Sequence, residues 1–164
     1  MVVIAHNLRS THNIGSLLRT AEGLGLEKVY LTGYTPYPLQ PQDTRLPHLA
    51  AKIDRQISKT ALGAEVSQVW EHRTDLIQLL EELRTDGYAI AALEQTPTAI
   101  PLPDYHSDQK LALIVGREVE GIESEVLAMT DFQLVIPMFG KKESFNVVQA
   151  AAMAMYHCRF GLPK

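Results

Sequence analysis

Three short stretches carry side chains whose types and spacing could do chemistry. The first, residues 7–21, reads NLRSTHNIGSLLRTA and sets Asn13 and Gly15 ahead of Arg19. Arg19 follows Gly15 by four residues, so the two share a helix face, away from the apolar stripe. With Arg9 and a helix N-terminus nearby, such a face could hold an anion. Gly15 in a first helical turn costs about 1 kcal/mol relative to alanine. Its benefit would be room for another chain to approach the backbone. A capped helix with a solvated arginine would read the same way.

The second stretch, Gly116-Arg-Glu-Val-Glu-Gly121, follows an apolar run and opens a helix, as a dinucleotide-binding loop would. Glu118 stands where that loop needs its middle glycine. Its carboxylate would repel a pyrophosphate, and its side chain would hinder close backbone approach. NAD, FAD and ATP are therefore disfavoured. S-adenosylmethionine fits better, because it has no phosphate and carries a sulfonium cation. A plain strand-to-helix turn is the alternative.

The third stretch, residues 136–147, runs IPMFGKKESFNV. Ser144 or Asn146 could cap the helix that follows. Ser144 lies in no G-x-S-x-G elbow and has no recognisable His/Asp pair, so a serine nucleophile is not expected. The six histidines are scattered and Cys158 is alone, so no metal site has credible ligand spacing.

The elements that must position these residues follow from apolar periodicity and turn signals. Strands are expected at 2–5, 28–32, 66–70, 88–93, 111–115 and 132–136. Helices are expected at 14–24, with Asn13 as its cap, and at 48–59, 75–84, 123–129 and 146–160. Pro36, Pro38, Pro41 and Pro47 mark 33–47 as a long loop, and 97–103 reads as another. The run LALIV at 111–115 is of the kind found in a parallel sheet covered on both faces. Strands alternating with helices predict an α/β fold with a largely parallel sheet.

With 164 residues, one domain with a real core is expected. No apolar run approaches the roughly 18–20 residues of a membrane span, and no signal-peptide pattern opens the chain. The single cysteine excludes an intrachain disulfide and suits a reducing cytoplasm, the expected location. The net charge of −4 leaves phosphate binding to a local basic surface. His48, Lys52, Arg55 and Lys59 form such a stripe along one helix face, equally readable as a solvated face. Lys141 and Lys142 are better placed.

In this order, the three stretches resemble the signature motifs of the SpoU (TrmH-like) family of SPOUT RNA 2′-O-ribose methyltransferases. Asn13, Gly15, Arg19 and Thr20 match N-x-G-x-x-x-R-[TC]. Gly116, Glu118, Gly121 and Ile122 match G-[NR]-E-x-x-G-[IL], with Arg117 where many members have asparagine. Residues 136–147 match I-P-M-x-G-x-x-x-S-L-N-V, with Phe145 in place of leucine. The resemblance implies a single SPOUT domain over 1–164 without terminal extensions. It also implies a mostly parallel sheet flanked by helices, a C-terminal deep trefoil knot, and a homodimer with its active site near the subunit boundary.

The same resemblance implies S-adenosylmethionine as methyl donor, S-adenosylhomocysteine as product and no metal. Catalytic roles fall to Arg19, Asn13, Glu118, Ser144 and Asn146. Cofactor contacts fall to Leu93, Glu94, Val115, Gly116, Gly121, Ile136, Met138, Ser144 and Phe145. RNA contacts are expected from Arg9, Lys52, Arg55, Lys141 and Lys142. Arg19 is the family's candidate base, but a guanidinium, which does not give up its proton in proteins, suits better a role in holding phosphate and stabilising alkoxide charge. The expected activity is 2′-O-methylation of RNA, with tRNA favoured over rRNA. A non-catalytic RNA-binding module on the same scaffold is the alternative, and the intact motif residues count against it.

Overall fold

The computed structural model describes residues 1–106 and 109–160. Seven strands make one sheet: Val2–His6 (β1), Lys28–Thr32 (β2), Trp70–Arg73 (β3), Ala89–Leu93 (β4), Ile100–Pro101 (β5), Leu111–Val115 (β6) and Phe132–Val135 (β7). Their spatial order is β3-β2-β1-β6-β4-β7-β5, and every pairing is parallel. The helices are Thr11–Gly23 (α1), Pro47–Ala61 (α2), Ala64–Ser67 (α3), Leu76–Thr85 (α4), Ser124–Leu127 (α5) and Val147–Phe160 (α6).

Strands β1 and β6 are buried at every position, which follows from their unbroken apolar runs and central places in the sheet. Side chains alternate between two cores. Val3, Ala5, Leu113 and Val115 join Ile14, Leu17 and Leu18 of α1, Ile57 of α2 and Met155 of α6. Val2, Ile4, Ala112 and Ile114 face Leu76, Leu79, Leu80 and Leu83 of α4 on the other side. The C-terminal half re-enters the sheet. After β4 the chain goes to edge strand β5, returns to the far side of β4 as β6, then crosses again to insert β7 between β4 and β5.

Three local expectations are corrected. The 66–70 segment is not a strand: Leu62 (φ 53°) and Gly63 (φ 100°) end α2 in left-handed conformation and start the short helix α3, so strand β3 begins at Trp70. The 97–103 segment contains strand β5 and a 3-10 turn at Leu102–Asp104; Pro101 is tolerated because β5 is an edge strand. Helix α1 starts earlier than expected, and Ser10, not Asn13, is its cap, accepting from Asn13 N at 3.3 Å. No helix among the described residues is long and apolar enough to cross a membrane.

Candidate functional site

The C-terminal ends of β4, β6 and β7 open into a cleft of about 300 Å³. Its apolar wall comes from Leu93, Val115, Leu134 and Ile136 at the strand ends, with Val147 and Ala150 of α6. The loop leaving β6 forms one rim. Gly116, at its start, is buried because the loop folds back on it: a Cβ there would lie 2.4 Å from Ile122 Cγ1 and 3.0 Å from the Gly121 backbone. Gly121 has φ +70°, and its own Cβ would meet Glu94 Oε2 at 2.4 Å. That close approach lets the Glu94 carboxylate accept from Ile122 N and Gln95 N, both at 2.9 Å, and so clamp the loop to the end of β4. Arg117 closes the turn from within, its Nε donating to Gly121 O at 3.1 Å.

Glu118 points out of this loop to the N-terminus of α1. Its Oε1 accepts from Ser10 N at 3.2 Å and Asn13 Nδ2 at 3.0 Å, and its Oε2 from Arg9 N at 3.3 Å. Burial alone would raise its pKa; the backbone donors and the Asn13 amide outweigh burial and hold it below the ordinary carboxylate value. A carboxylate at a helix N-terminus also meets the favourable end of the helix dipole. The first and second motifs are thus joined by one ionised side chain. Because Ser10 caps the helix, the Asn13 amide is free for this contact.

The third motif forms the opposite rim. Gln95 Nε2 donates to Glu143 O at 2.9 Å, tying the loop to the end of β4. Glu143, Ser144 and Phe145 line the cleft. Asn146 Oδ1 accepts from Val148 N at 3.0 Å, the geometry of a side chain capping α6.

All the expected cofactor residues except Met138 line the cleft, as does Glu118. Asn13 reaches it only through Glu118, and Asn146 is exposed at the start of α6 and does not line it. Arg19 does not line the cleft; it is exposed on α1 and makes no hydrogen bond or ion pair among the described residues. Gly15 does not stand on a free face. It is buried against α2, where its Cβ would lie 2.3 Å from Ile57 O. Of the expected RNA contacts, Arg9 pairs with Glu120 at 3.1 Å on the cleft rim, while Lys52, Arg55, Lys141 and Lys142 are exposed. No group of three or more acidic, histidine or cysteine side chains among the described residues is arranged to hold a metal.

A polar cluster beneath the rim is absent from the sequence expectations. Asn7 Nδ2 donates to Glu123 Oε1 at 3.0 Å and lies 2.9 Å from His6 Nε2; His6 Nδ1 lies 2.9 Å from Thr32 Oγ1. Glu123 Oε2 is buried without a hydrogen-bond partner, 3.5 Å from His6 Nε2, and Arg117 lies 3.5 Å from the other oxygen. Burial holds the His6 pKa below its usual value, against the field of Glu123. The one signal in sequence was position: His6 ends β1 with Asn7 directly after it, and Glu123 directly follows the second motif.

A family model described as the "SpoU rRNA Methylase family" matches residues 1–156. Among curated proteins, a "Putative TrmH family tRNA/rRNA methyltransferase" of Staphylococcus haemolyticus is 30% identical over 155 residues, 94% of this chain and 56% of that protein. The chain therefore spans about half the length of the curated relatives it matches. Among solved structures, the A. aeolicus TrmH/SpoU tRNA modifying enzyme superposes with a TM-score of 0.78 at 22% identity, over 96% of this chain and 73% of that one. The AdoMet-bound rRNA methyltransferase of Sinorhizobium meliloti gives 0.80 at 18% identity, over 99% and 57%. At these identities the structural likeness concerns the fold.

Proposed function

The chain belongs to the SpoU rRNA methylase family, and from that premise we propose that it is an S-adenosylmethionine-dependent RNA 2′-O-ribose methyltransferase acting on tRNA. The observation that carries the proposal is the meeting of the motifs: the second and third frame one cleft, and Glu118 fastens the first to it.

The cleft suits the donor on its own chemistry. Its volume lies at the small end of the roughly 300–1,000 Å³ usual for small-molecule sites. Leu93, Val115, Leu134 and Ile136 offer an apolar wall for a flat adenine. Glu120 and Glu143 on the rims offer negative charge to a cation. The loop at 116–121 directs no cluster of cations at a pyrophosphate. When bound, S-adenosylmethionine would supply a methyl carbon on a cationic sulfur; a ribose oxygen would take the methyl as its proton passes to solvent, leaving S-adenosylhomocysteine.

The protein's own residues orient and stabilise. Glu94, Gly116 and Gly121 shape the cofactor side; Ser144 and Phe145 form the opposite rim; Asn13 and Glu118 hold the α1 N-terminus against it. Arg19 supplies positive charge for the RNA phosphate and the developing alkoxide, and alignment of the hydroxyl supplies the rest. The position of Arg19 outside the cleft of its own chain supports a homodimer with the site near the subunit boundary. The crossing path of β5, β6 and β7 supports a single domain whose C-terminal segment is threaded as a deep trefoil knot.

The test is transfer of labelled methyl from S-adenosylmethionine into size-fractionated total RNA, followed by nuclease digestion. A tRNA-sized product carrying a 2′-O-methylnucleoside is expected. Label in rRNA would replace the substrate, label on a base would replace the chemistry, and cofactor binding without label in any RNA would refute the reading. Absence of cofactor binding would favour a non-catalytic RNA-binding module.

A further inference from the structure

We propose that Tyr34 is a stacking platform for an unpaired base of the RNA substrate, presented beside Arg9 at the rim of the cleft. The inference rests on the RNA methyltransferase reading and names a positioning residue for it. Tyr34 is 53% exposed on the loop that leaves β2. Its neighbour on that loop, Tyr37, has both faces used: His72 stacks at 4.0 Å and Arg45 lies 3.6 Å from the ring centroid. Tyr34 has no such ring contact among the described residues.

The backbone beneath Tyr34 is held in place by two interlocked left-handed residues. Asn7 adopts φ 57° and Gly33 φ 65°. Asn7 Oδ1 accepts from Tyr34 N at 3.1 Å, and a Cβ on Gly33 would lie 2.0 Å from that same oxygen. The other end of the Asn7 amide donates to Glu123 at 3.0 Å, directly after the second motif. Positive φ at a non-glycine residue persists where its surroundings over-determine it. Here the result is that an exposed ring is registered to the cleft loop.

Arg9 completes the arrangement. Its guanidinium pairs with Glu120 on the cleft rim at 3.1 Å, and the neighbouring Tyr34 phenol, together with Glu120, raises its pKa. That ion pair is exposed, so a phosphate can compete with it at little cost. An unstacked nucleotide offers both complements, a π-face for the tyrosine and a phosphate for the arginine. The ring is then one arginine side chain away from the cleft.

The experiment compares wild type, Tyr34→Ala and Tyr34→Phe on the RNA fraction that wild type methylates, with S-adenosylmethionine affinity measured separately. Tyr34→Ala should raise KM for RNA roughly five- to a hundred-fold, leaving kcat and cofactor affinity near wild type, and Tyr34→Phe should restore KM. An unchanged KM in Tyr34→Ala overturns the inference, as does a fall in cofactor affinity matching the loss of rate, or damage by Tyr34→Phe equal to that by alanine. If wild type methylates no RNA, the underlying reading falls first, and the inference falls with it.

Discussion

Glu118 concentrates three donors from the start of α1 onto one carboxylate, so its charge and shape both matter. Glu118→Gln keeps the shape and removes the charge; it should cost about 1–2 kcal/mol, partly screened by solvent, read as a lower denaturation midpoint. Because the folded pKa of Glu118 lies below its ordinary value, its contribution is present above that value and lost as pH falls through the folded one. His6 has the same sign. Its folded pKa lies below 6.5, so the unfolded chain takes up its proton first and stability declines as pH drops from about 6.5. His6→Gln should flatten that slope in Tm against pH. Arg19→Ala should lower transfer by roughly a hundred-fold or more with cofactor affinity retained; equal losses of both would assign Arg19 to the cofactor instead. Single residues were only partly legible in the sequence. Glu118 was visible as an obstacle to pyrophosphate, but its partners lie more than a hundred positions away and no periodicity announces them. His6, Asn7 and Glu123 belong to no repeating pattern at all.

Elements were far more legible, because burial writes a period into the chain. The stripe Ile14, Leu17, Leu18 and Ala21 and the run 111–115 gave α1 and β6 their faces before any coordinates. The failures lie where backbone conformation overrides composition. β-branched Val66 and Val69 suggested a strand, but left-handed Leu62 and Gly63 set up another helical turn. Gly15 reads as permissive, yet α2 packs directly on it: an added Cβ would lie 2.2 Å from Thr60 Oγ1 and 2.3 Å from Ile57 O. The second contact is backbone and cannot swing aside. Gly15→Val should therefore cost about 2 kcal/mol or more, a drop of roughly 4–8 °C in Tm for a chain of this size. Gly116→Ala acts elsewhere. Its Cβ meets Ile122 and the Gly121 backbone, so the loop must open where the cofactor is expected to bind. Cofactor affinity should fall about tenfold or more, beyond the roughly 1–3 kcal/mol of stability that overpacking against buried Ile122 should cost, as calorimetry and thermal melts would show.

At the scale of the whole molecule, the distribution of exposed apolar side chains bears on the proposed homodimer. Phe139 is 97% exposed and Val119 88%, both on the motif loops around the cleft. Along α6, Met153, Tyr156 and Phe160 are all exposed at i, i+3 and i+7, which sets them on one helix face. A soluble monomer rarely leaves so many large apolar side chains exposed if they form one contiguous patch. A self-complementary two-fold contact would cover it and bring a neighbour's surface up to the cleft that Arg19 does not reach within its own chain. None of this was legible from composition, since the alanines of α6 are good helix formers as readily as they permit close helix approach. The fold separates the buried Ala151, Ala154 and Met155 from the exposed face behind them. The prediction is a two-chain species in sedimentation equilibrium for wild type. Tyr156→Lys, on the exposed face and outside the cleft, should shift it to one chain with helical content preserved and methyl transfer lost. A monomeric, folded Tyr156→Lys protein with full activity would mean that a single chain assembles the site unaided, and Arg19 would then have to act from its own subunit.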